Sequence, residues 1–476
     1  MTLFAGVDLG TGGARCLVVD ERGARQGYGA RAWAYEADDT GWPTLPPETA
    51  LRAAREAMDE AMAGRAIEAI GVTSQRTGVV LLGEDGRELH VSPNSDGRAA
   101  MQGVGLERRH GEAVHRVAGR LPMLLYLPAR LAWFRENRGE TVAMALSLGD
   151  WLTYRLTGSA ATENTHAAEM GVFDVAALSW SAELCRAMDV PMHALPPVLD
   201  VGTAAGKTDA GTDVVPAGTD SGCAALALGV TQTGEEFVVA GTTMICSRVV
   251  GAAGRDPTRA TWLSPHHLAG LRVFEAHCGE AGSAVEWYAR TLATSVDELA
   301  STAEAGIAGA GGVVFVDPYP SNVSDFTLLR MGGLLFPAPV LALGRPREDV
   351  ARALFEGLAF GARAGLDVLD GIGGEPSSIA VAGGVARSRV FARALAGASK
   401  RRVTVATELA SSALGAAIVA ASSHHGGLHE SVVAMRDRGR TVDPNDDDGY
   451  PAHYATWRER AQMLDERATR MSDLMR

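Results

Sequence analysis

The sequence predicts an α/β protein built from two domains of similar topology, and three observations carry that prediction. Leu3–Asp20 (LFAGVDLGTGGARCLVVD) reads as two β-like runs, Leu3–Val7 and Arg15–Val19, around the glycine-rich turn Asp8-Leu9-Gly10-Thr11-Gly12-Gly13. Glu236–Val250 (EFVVAGTTMICSRVV) repeats the design about 230 residues later, with Gly241-Thr242-Thr243 at its tip. Around both hairpins, strand-like and helix-like segments mix as they do in layered α/β folds.

The remaining elements follow in order. Pro47–Ala63 and Ala129–Arg138 carry helical patterns, while Ala66–Ser74 and Val79–Gly83 read as strands. Asp213–Val230 (DVVPAGTDSGCAALALGV) is a strand, a turn at Gly218 and a helix of small residues. The domain boundary falls near Thr231–Glu235, dividing the chain into 1–233 and 234–476. In the second half, Pro346–Leu369 is a helix: Pro346 suits its first turn, and Glu348 and Asp349 suit its positive end. Ser378–Ala382 reads as a buried strand, Gly383-Gly384 as a turn and Ser388–Ala398 as a helix. Ser411–Ala421 is a helix of small residues suited to close packing, and 439–450 (GRTVDPNDDDGY) is the expected flexible surface segment.

Apolar residues make up 46% and charged residues 21%, enough for a sizeable core and too little charge for a disordered chain. Glycine is in excess, 56 residues or about 12% against ~7% on average, which implies many tight turns or close backbone approaches. Lys plus Arg number 44 and Asp plus Glu 57, a net charge of −13. So acidic a chain is not expected to bind nucleic acid or acidic lipid. It can still hold a phosphorylated ligand through backbone N–H groups, a metal and one or two basic side chains. The five cysteines (Cys16, Cys185, Cys223, Cys246, Cys278) are widely spaced, with no CxxC, which fits a reducing compartment. The amino terminus has no basic leader and no run of 18 apolar residues occurs, so the expectation is a cytoplasmic protein without a membrane partner.

Four turns could carry chemistry. In Asp8–Arg15, backbone N–H groups form an anion nest, the Thr11 hydroxyl can donate to phosphate, Arg15 can neutralise charge and Asp8 can hold a hydrated Mg²⁺. A plain hairpin turn has the same composition. In Gly218-Thr219-Asp220-Ser221-Gly222, Asp220 sits between strand and helix, where a carboxylate can accept the proton of an attacking hydroxyl or simply cap the helix. Gly241-Thr242-Thr243 repeats the first logic, and Gly383-Gly384 would let a flat ring approach the backbone. Two other segments are set aside. Gly202–Thr208 has three residues between its glycines where a phosphate-binding P-loop has four, and His424, His425 and His429 lie across a glycine pair with no acidic triad.

Taken in order, the motifs resemble the FGGY family of carbohydrate kinases, within the actin/hexokinase-like ATPase superfamily. The resemblance runs through VDLGTGGAR at 7–15, VTSQRTGVVL at 72–81, NSDGR at 94–98, GDWLTYRLTG at 149–158 and TENTHAAEMGVFDV at 162–175. It continues through PAGTDSGCAALALGV at 216–230, AGTT at 240–243, ARALFEGLAFG at 351–361, AGGVARS at 382–388 and ALGAA at 413–417. It implies two RNase H-like domains with a cleft between them, the first binding mainly the sugar and the second mainly ATP. By position, Asp220 resembles the catalytic base and, with Asp8, the Mg²⁺ site. Thr11, Gly12, Arg15, Gly241 and Thr242 resemble the phosphate contacts, and Gly383 and Gly384 the adenosine-binding pair.

The substrate side departs from the family patterns. Gln75-Arg76-Thr77-Gly78 stands where xylulokinases carry Gln-Met-His-Gly and glycerol kinases Gln-Arg-Glu-Thr, and Asn94 replaces the tryptophan of a Trp-x-Asp-x-Arg element that keeps Asp96 and Arg98. The Asn-x-Asp-x-Arg form is similar to that of autoinducer-2 kinases and some tetritol kinases. Gln75, Arg76 and Asp96 are the expected contacts to a small sugar or polyol, with Arg76 donating to hydroxyls or a carboxylate and Asp96 accepting. A homodimer is the family expectation. The competing function is an actin-like nucleotide sensor without kinase activity.

Overall fold

The computed structural model describes residues 1–38, 41–252, 256–317, 331–337, 344, 346–372, 376 and 378–474. The run LFAGVDLG forms strand β1 (Leu3–Gly10), and all eight of its residues are buried, as befits a central strand covered on both faces. It turns at Thr11-Gly12 into β2 (Gly13–Asp20), which pairs with β3 (Arg25–Ala32); both pairings are antiparallel. Parallel to β1 lies β4 (Ala69–Ser74), then β6 (Asp213–Thr219), with the short β5 (Gly206–Lys207) at the edge, giving the order β5-β6-β4-β1-β2-β3.

The second sheet repeats the plan. Strands β7 (Glu236–Ala240) and β8 (Thr243–Gly251) form the second hairpin, and β8 pairs antiparallel with β10 (Leu271–Glu280), which carries β9 (Trp262–Pro265). On the other side β11 (Ile379–Ala382) and β12 (Val403–Val405) run parallel to β7. Each sheet therefore contains a run of three antiparallel strands followed by two parallel ones, to which the second sheet adds β9 as a fourth antiparallel strand, matching the predicted duplication of topology. Residues Arg440–Val442, within the segment expected to be flexible, form β13, an antiparallel edge strand on β12. The polar composition of 439–450 marks an exposed position, and the open edge of β12 supplies its hydrogen bonds.

Helices complete the layers. Helix α1 (Pro47–Met62) covers one face of the first sheet with Ala50, Leu51, Ala54, Ala57, Met58 and Ala61. The other face is covered from the far end of the chain, by α5 (Ser411–Ala420). That approach requires glycine: a Cβ on Gly6 would lie 1.8 Å from the Ala413 carbonyl oxygen. Helix α5 also packs on α2 (Asp220–Ala227), where a Cβ on Gly415 would lie 1.8 Å from the Cys223 oxygen. The helix that begins with Asp220 is thus held from behind by a residue nearly 200 positions later. On the second sheet, α3 (Pro346–Ile372) and α4 (Arg389–Ser399) form the core with Val238, Met244, Phe274, Leu358, Phe391 and Leu395. Among the described residues no helix is long and apolar enough to cross a membrane.

Candidate active site

The ends of β1, β4 and β6 meet on one rim of the first sheet, where Asp8 is level with Thr73 and Ser74 is level with Thr219. Asp220 follows as the first residue of α2. Thr219 caps that helix, its hydroxyl accepting from the Gly222 N–H at 3.3 Å, and Asp220 Oδ1 accepts from the Ser221 N–H at 2.7 Å. The loop before it is clamped on three sides. His267 Nε2 meets the Ala217 carbonyl at 2.9 Å, Thr73 donates to the Gly218 carbonyl, and the Thr219 N–H donates to Thr165 Oγ1 at 3.0 Å. Burial pushes the Asp220 carboxyl up to about 6, against the pull of Arg76 and the Ser221 N–H.

Asp8 is buried, and Arg15, directly across the ladder, reaches its Oδ2 at 3.5 Å. Burial first and Asp220 second push the Asp8 carboxyl up to about 7, with Arg15 opposing. Its Oδ1 has no hydrogen-bond partner among the described residues. At the hairpin tip Gly12 is exposed, and the Thr11 hydroxyl accepts from Asn94 Nδ2 at 3.2 Å. The second tip, Gly241-Thr242, abuts the helix Gly282–Thr291: the Gly282 N–H donates to the Gly241 carbonyl at 2.7 Å, and the Ser283 hydroxyl to the Thr242 carbonyl at 2.9 Å. Gly383, at φ +104°, lies against this tip; a Cβ there would stand 2.3 Å from the Ala240 carbonyl oxygen, whereas Gly384 faces open space.

Thr11, Asp220, Gly241 and Thr242 line one cavity of about 450 Å³, together with Arg76, Asn94, Tyr126, Glu169, Trp262, His277 and Glu280. The two hairpin tips and the start of α2 therefore face a common space between the sheets.

The substrate-side residues are arranged otherwise than expected. Arg76 is fixed by carboxylates from both halves of the chain: Nε donates to Glu169 at 3.0 Å, and Nη1 and Nη2 donate to the two oxygens of Glu275 at 2.9 and 2.8 Å. Arg120 closes a ring, bonding Glu169 at 2.8 Å and the Ser264 hydroxyl at 2.9 Å, while Ser264 donates to Glu275 at 2.6 Å. Burial disfavours the Arg76 charge, but Glu169 and Glu275 outweigh it and hold the guanidinium protonated. Asp96 does not line the cavity. Arg98 Nε at 2.8 Å and the Ser92 hydroxyl at 2.6 Å take up its oxygens, and the loop presents Asn94 and Ser95 instead. Against the cost of burial, His90, Ser92 and Arg98 hold the Asp96 carboxyl below its ordinary value. Gln75 is also buried; its Oε1 accepts from the Asn94 N–H at 3.3 Å and its Nε2 donates to the Tyr35 hydroxyl at 3.2 Å, so it holds the Asn94 loop.

Models of the N-terminal and C-terminal domains of the FGGY family of carbohydrate kinases match residues 3–220 and 237–424. The chain belongs to that family. It is a carbohydrate kinase of the two-domain, actin-like ATPase fold. Among relatives, the "Putative sugar kinase YoaC" of Bacillus subtilis (strain 168) is 27% identical over 490 residues, covering 95% of each chain. The autoinducer-2 kinase of Escherichia coli (strain K12) is 26% identical over 461 residues, covering 87% of this chain and 84% of the relative. A solved structure of a xyloylose kinase from Brucella ovis superposes with a TM-score of 0.87 at 23% identity, covering 98% of this chain and 99% of that one.

Kinases of the FGGY family use ATP, usually with a divalent metal, and the residues present fit both. Asp8 and Asp220 offer only hard oxygen donors, Asp8 Oδ1 is unpartnered, and the charge of Asp220 raises the Asp8 pKa, a repulsion that a cation would relieve. The glycine of position 383 keeps the backbone beside the second tip clear of side chain. Sequence reasoning missed Glu169, Trp262, His277 and Glu280 as cavity residues. Glu169 lies within the segment TENTHAAEMGVFDV, but nothing in its local pattern signals its partners Arg76 and Arg120, which come from distant loops.

Proposed function

We propose that this kinase transfers the terminal phosphoryl group of ATP to a hydroxyl of a small sugar or polyol, with Asp220 as general base. The observation that supports the reading is the single cavity on which Asp220, Thr11, Gly241 and Thr242 converge. A carboxylate at the first position of α2, raised by burial toward neutrality, suits proton transfer from an alcohol. Thr11, Gly12, Arg15, Gly241 and Thr242 hold the phosphates through hydroxyl, backbone and guanidinium donors, and Gly383 and Gly384 accept the adenosine. Mg²⁺, held by Asp8 and Asp220, would neutralise charge on the phosphates when bound. On the alcohol side Arg76 donates from the cavity wall, while Gln75 and Asp96 act through the loop that presents Asn94 and Ser95. Burial of the cavity between the sheets limits water as a competing nucleophile.

The test is an ADP-release assay on the purified protein against ketopentoses, aldoses, tetritols, pentitols, glycerol and the autoinducer-2 precursor. Strong turnover with at least one alcohol is expected. Intact ATP binding with no turnover across the panel overturns the reading in favour of a nucleotide sensor.

A further inference from the structure

Five N–H groups make up a guanidinium, and an arginine recognises a carboxylate by offering two of them in parallel. In Arg76 three donate hydrogen bonds to carboxylates, Nε to Glu169 (3.0 Å) and Nη1 and Nη2 to Glu275 (2.9 and 2.8 Å), and Nη2 also lies 2.8 Å from the same Glu169 oxygen as an ion-pair contact. Both edges of the guanidinium that could present a parallel pair, Nη1/Nη2 and Nε/Nη2, therefore already face a carboxylate, and what is left suits a single hydroxyl.

Charge points the same way. Among the described residues lining the cavity, Arg76 is the only lysine or arginine, while Glu169, Asp220 and Glu280 are acidic. Behind the wall the fully buried Arg120 is matched by Glu169 and Glu275, so the Arg76–Glu275–Arg120–Glu169 ring is neutral as a whole. In the kinase reading Arg15 and the metal serve the nucleotide phosphates, so an acidic acceptor on the alcohol side would meet Asp220 with only the already paired Arg76 as a cationic side chain of the wall. The rest of the wall suits an uncharged, hydroxylated carbon chain: Thr11, Thr77, Asn94 and Ser95 donate and accept, and the rings of Tyr126 and Trp262 offer apolar surface.

We propose that the acceptor is a neutral polyol or sugar and not a sugar acid, and that Glu275 is the specificity-determining residue, because it occupies the fork of Arg76. The proposal rests on the kinase reading above. It also explains why an arginine at position 76 does not itself signal an acidic substrate: its charge is spent within the protein.

The experiment compares kcat/KM for alditols, ketoses and aldonates of four, five and six carbons in the ADP-release assay. The neutral member of the best chain length is expected to exceed its aldonate by about 100-fold. In Glu275→Gln, which removes one negative charge and frees an N–H of the fork, that ratio should narrow at least tenfold through a lower KM for the aldonate. An aldonate within tenfold of its neutral counterpart in the unaltered enzyme overturns the proposal and leaves the kinase reading standing. An unchanged ratio in a folded Glu275→Gln variant overturns the role of Glu275. Should that variant not fold, the ratio in the unaltered enzyme, with the aldonate's inhibition constant against the neutral substrate, still decides the substrate class. Absence of turnover with every compound overturns the kinase reading itself.

Discussion

Arg76 and Glu275 stand 199 residues apart in the chain and meet as a two-toothed ion pair, Nη1 to Oε1 at 2.9 Å and Nη2 to Oε2 at 2.8 Å. The pair joins the loop after β4 in the first sheet to β10 in the second, so it ties the two halves together at the wall of the cavity. Replacing Arg76 by Met leaves Glu169 and Glu275 buried with half their compensation gone. A loss of about 3–5 kcal/mol of unfolding free energy is expected, measured by urea titration. A change under about 1 kcal/mol would mean that water already shares the load.

Asp220→Asn keeps the shape of the site and removes the base. The expected kcat falls by about 10²–10⁴, while the dissociation constant of the metal-free nucleotide stays within a few-fold of the original. Turnover assays and nucleotide titration on the same preparation separate the two effects, and full activity in the variant rules out Asp220 as the base.

Gly383→Ala asks an L-residue to adopt φ +104° and drives a Cβ to 2.3 Å from the Ala240 carbonyl oxygen. The second tip must shift. The KM for ATP is expected to rise about tenfold or more, with the affinity for the alcohol little changed, because small displacements of positioning groups carry large kinetic costs. An unaltered KM for ATP would separate Gly383 from the nucleotide.

Gly6→Ala places a methyl 1.8 Å from the Ala413 carbonyl oxygen. Helix α5 then has to lift from β1, and overpacking of this kind costs about 1–3 kcal/mol. Because α5 also supports α2, activity should fall along with the urea midpoint. A midpoint shift without loss of activity would show that α2 keeps its place independently.

His266 is buried against the Val230 carbonyl at 3.2 Å, and burial pushes its imidazole down to about 3, with His267 adding to the shift. A group depressed in the folded state binds its proton first in the unfolded chain. Its contribution is therefore intact above about pH 6.5 and shrinks as pH falls toward 3. Between pH 7 and pH 5 the loss attributable to His266 is about 2 kcal/mol. The stability difference between the original protein and His266→Gln, taken from urea titrations at both pH values, should change by that amount. A difference that does not vary with pH would mean that His266 titrates normally in the folded protein.

Local pattern made much of the architecture legible. Alternating apolar runs around Gly-Thr tips announced both hairpins, and strand, glycine turn and small-residue helix announced the setting of Asp220, because each depends on neighbours a few positions away. The helix at Ser411–Ala420 was equally plain from its small residues, but its partner was not: it crosses back to cover β1 and β4 of the first sheet. Asp96 shows the same limit. Its motif marked it for the cavity, yet Arg98 and Ser92 consume its oxygens, and the neighbouring Asn94 and Ser95 face the space instead.

By itself, then, the order of residues determined the family, the α/β class, the duplicated hairpins and the candidate base, since these are written in short-range spacing and turn chemistry. Tertiary structure alone decided which side chains are free to meet a substrate. Arg76 reads as an open cation in its own segment; folding brings Glu169 and Glu275 against it, and the Coulomb attraction of buried opposite charges closes most of its donors before any ligand arrives.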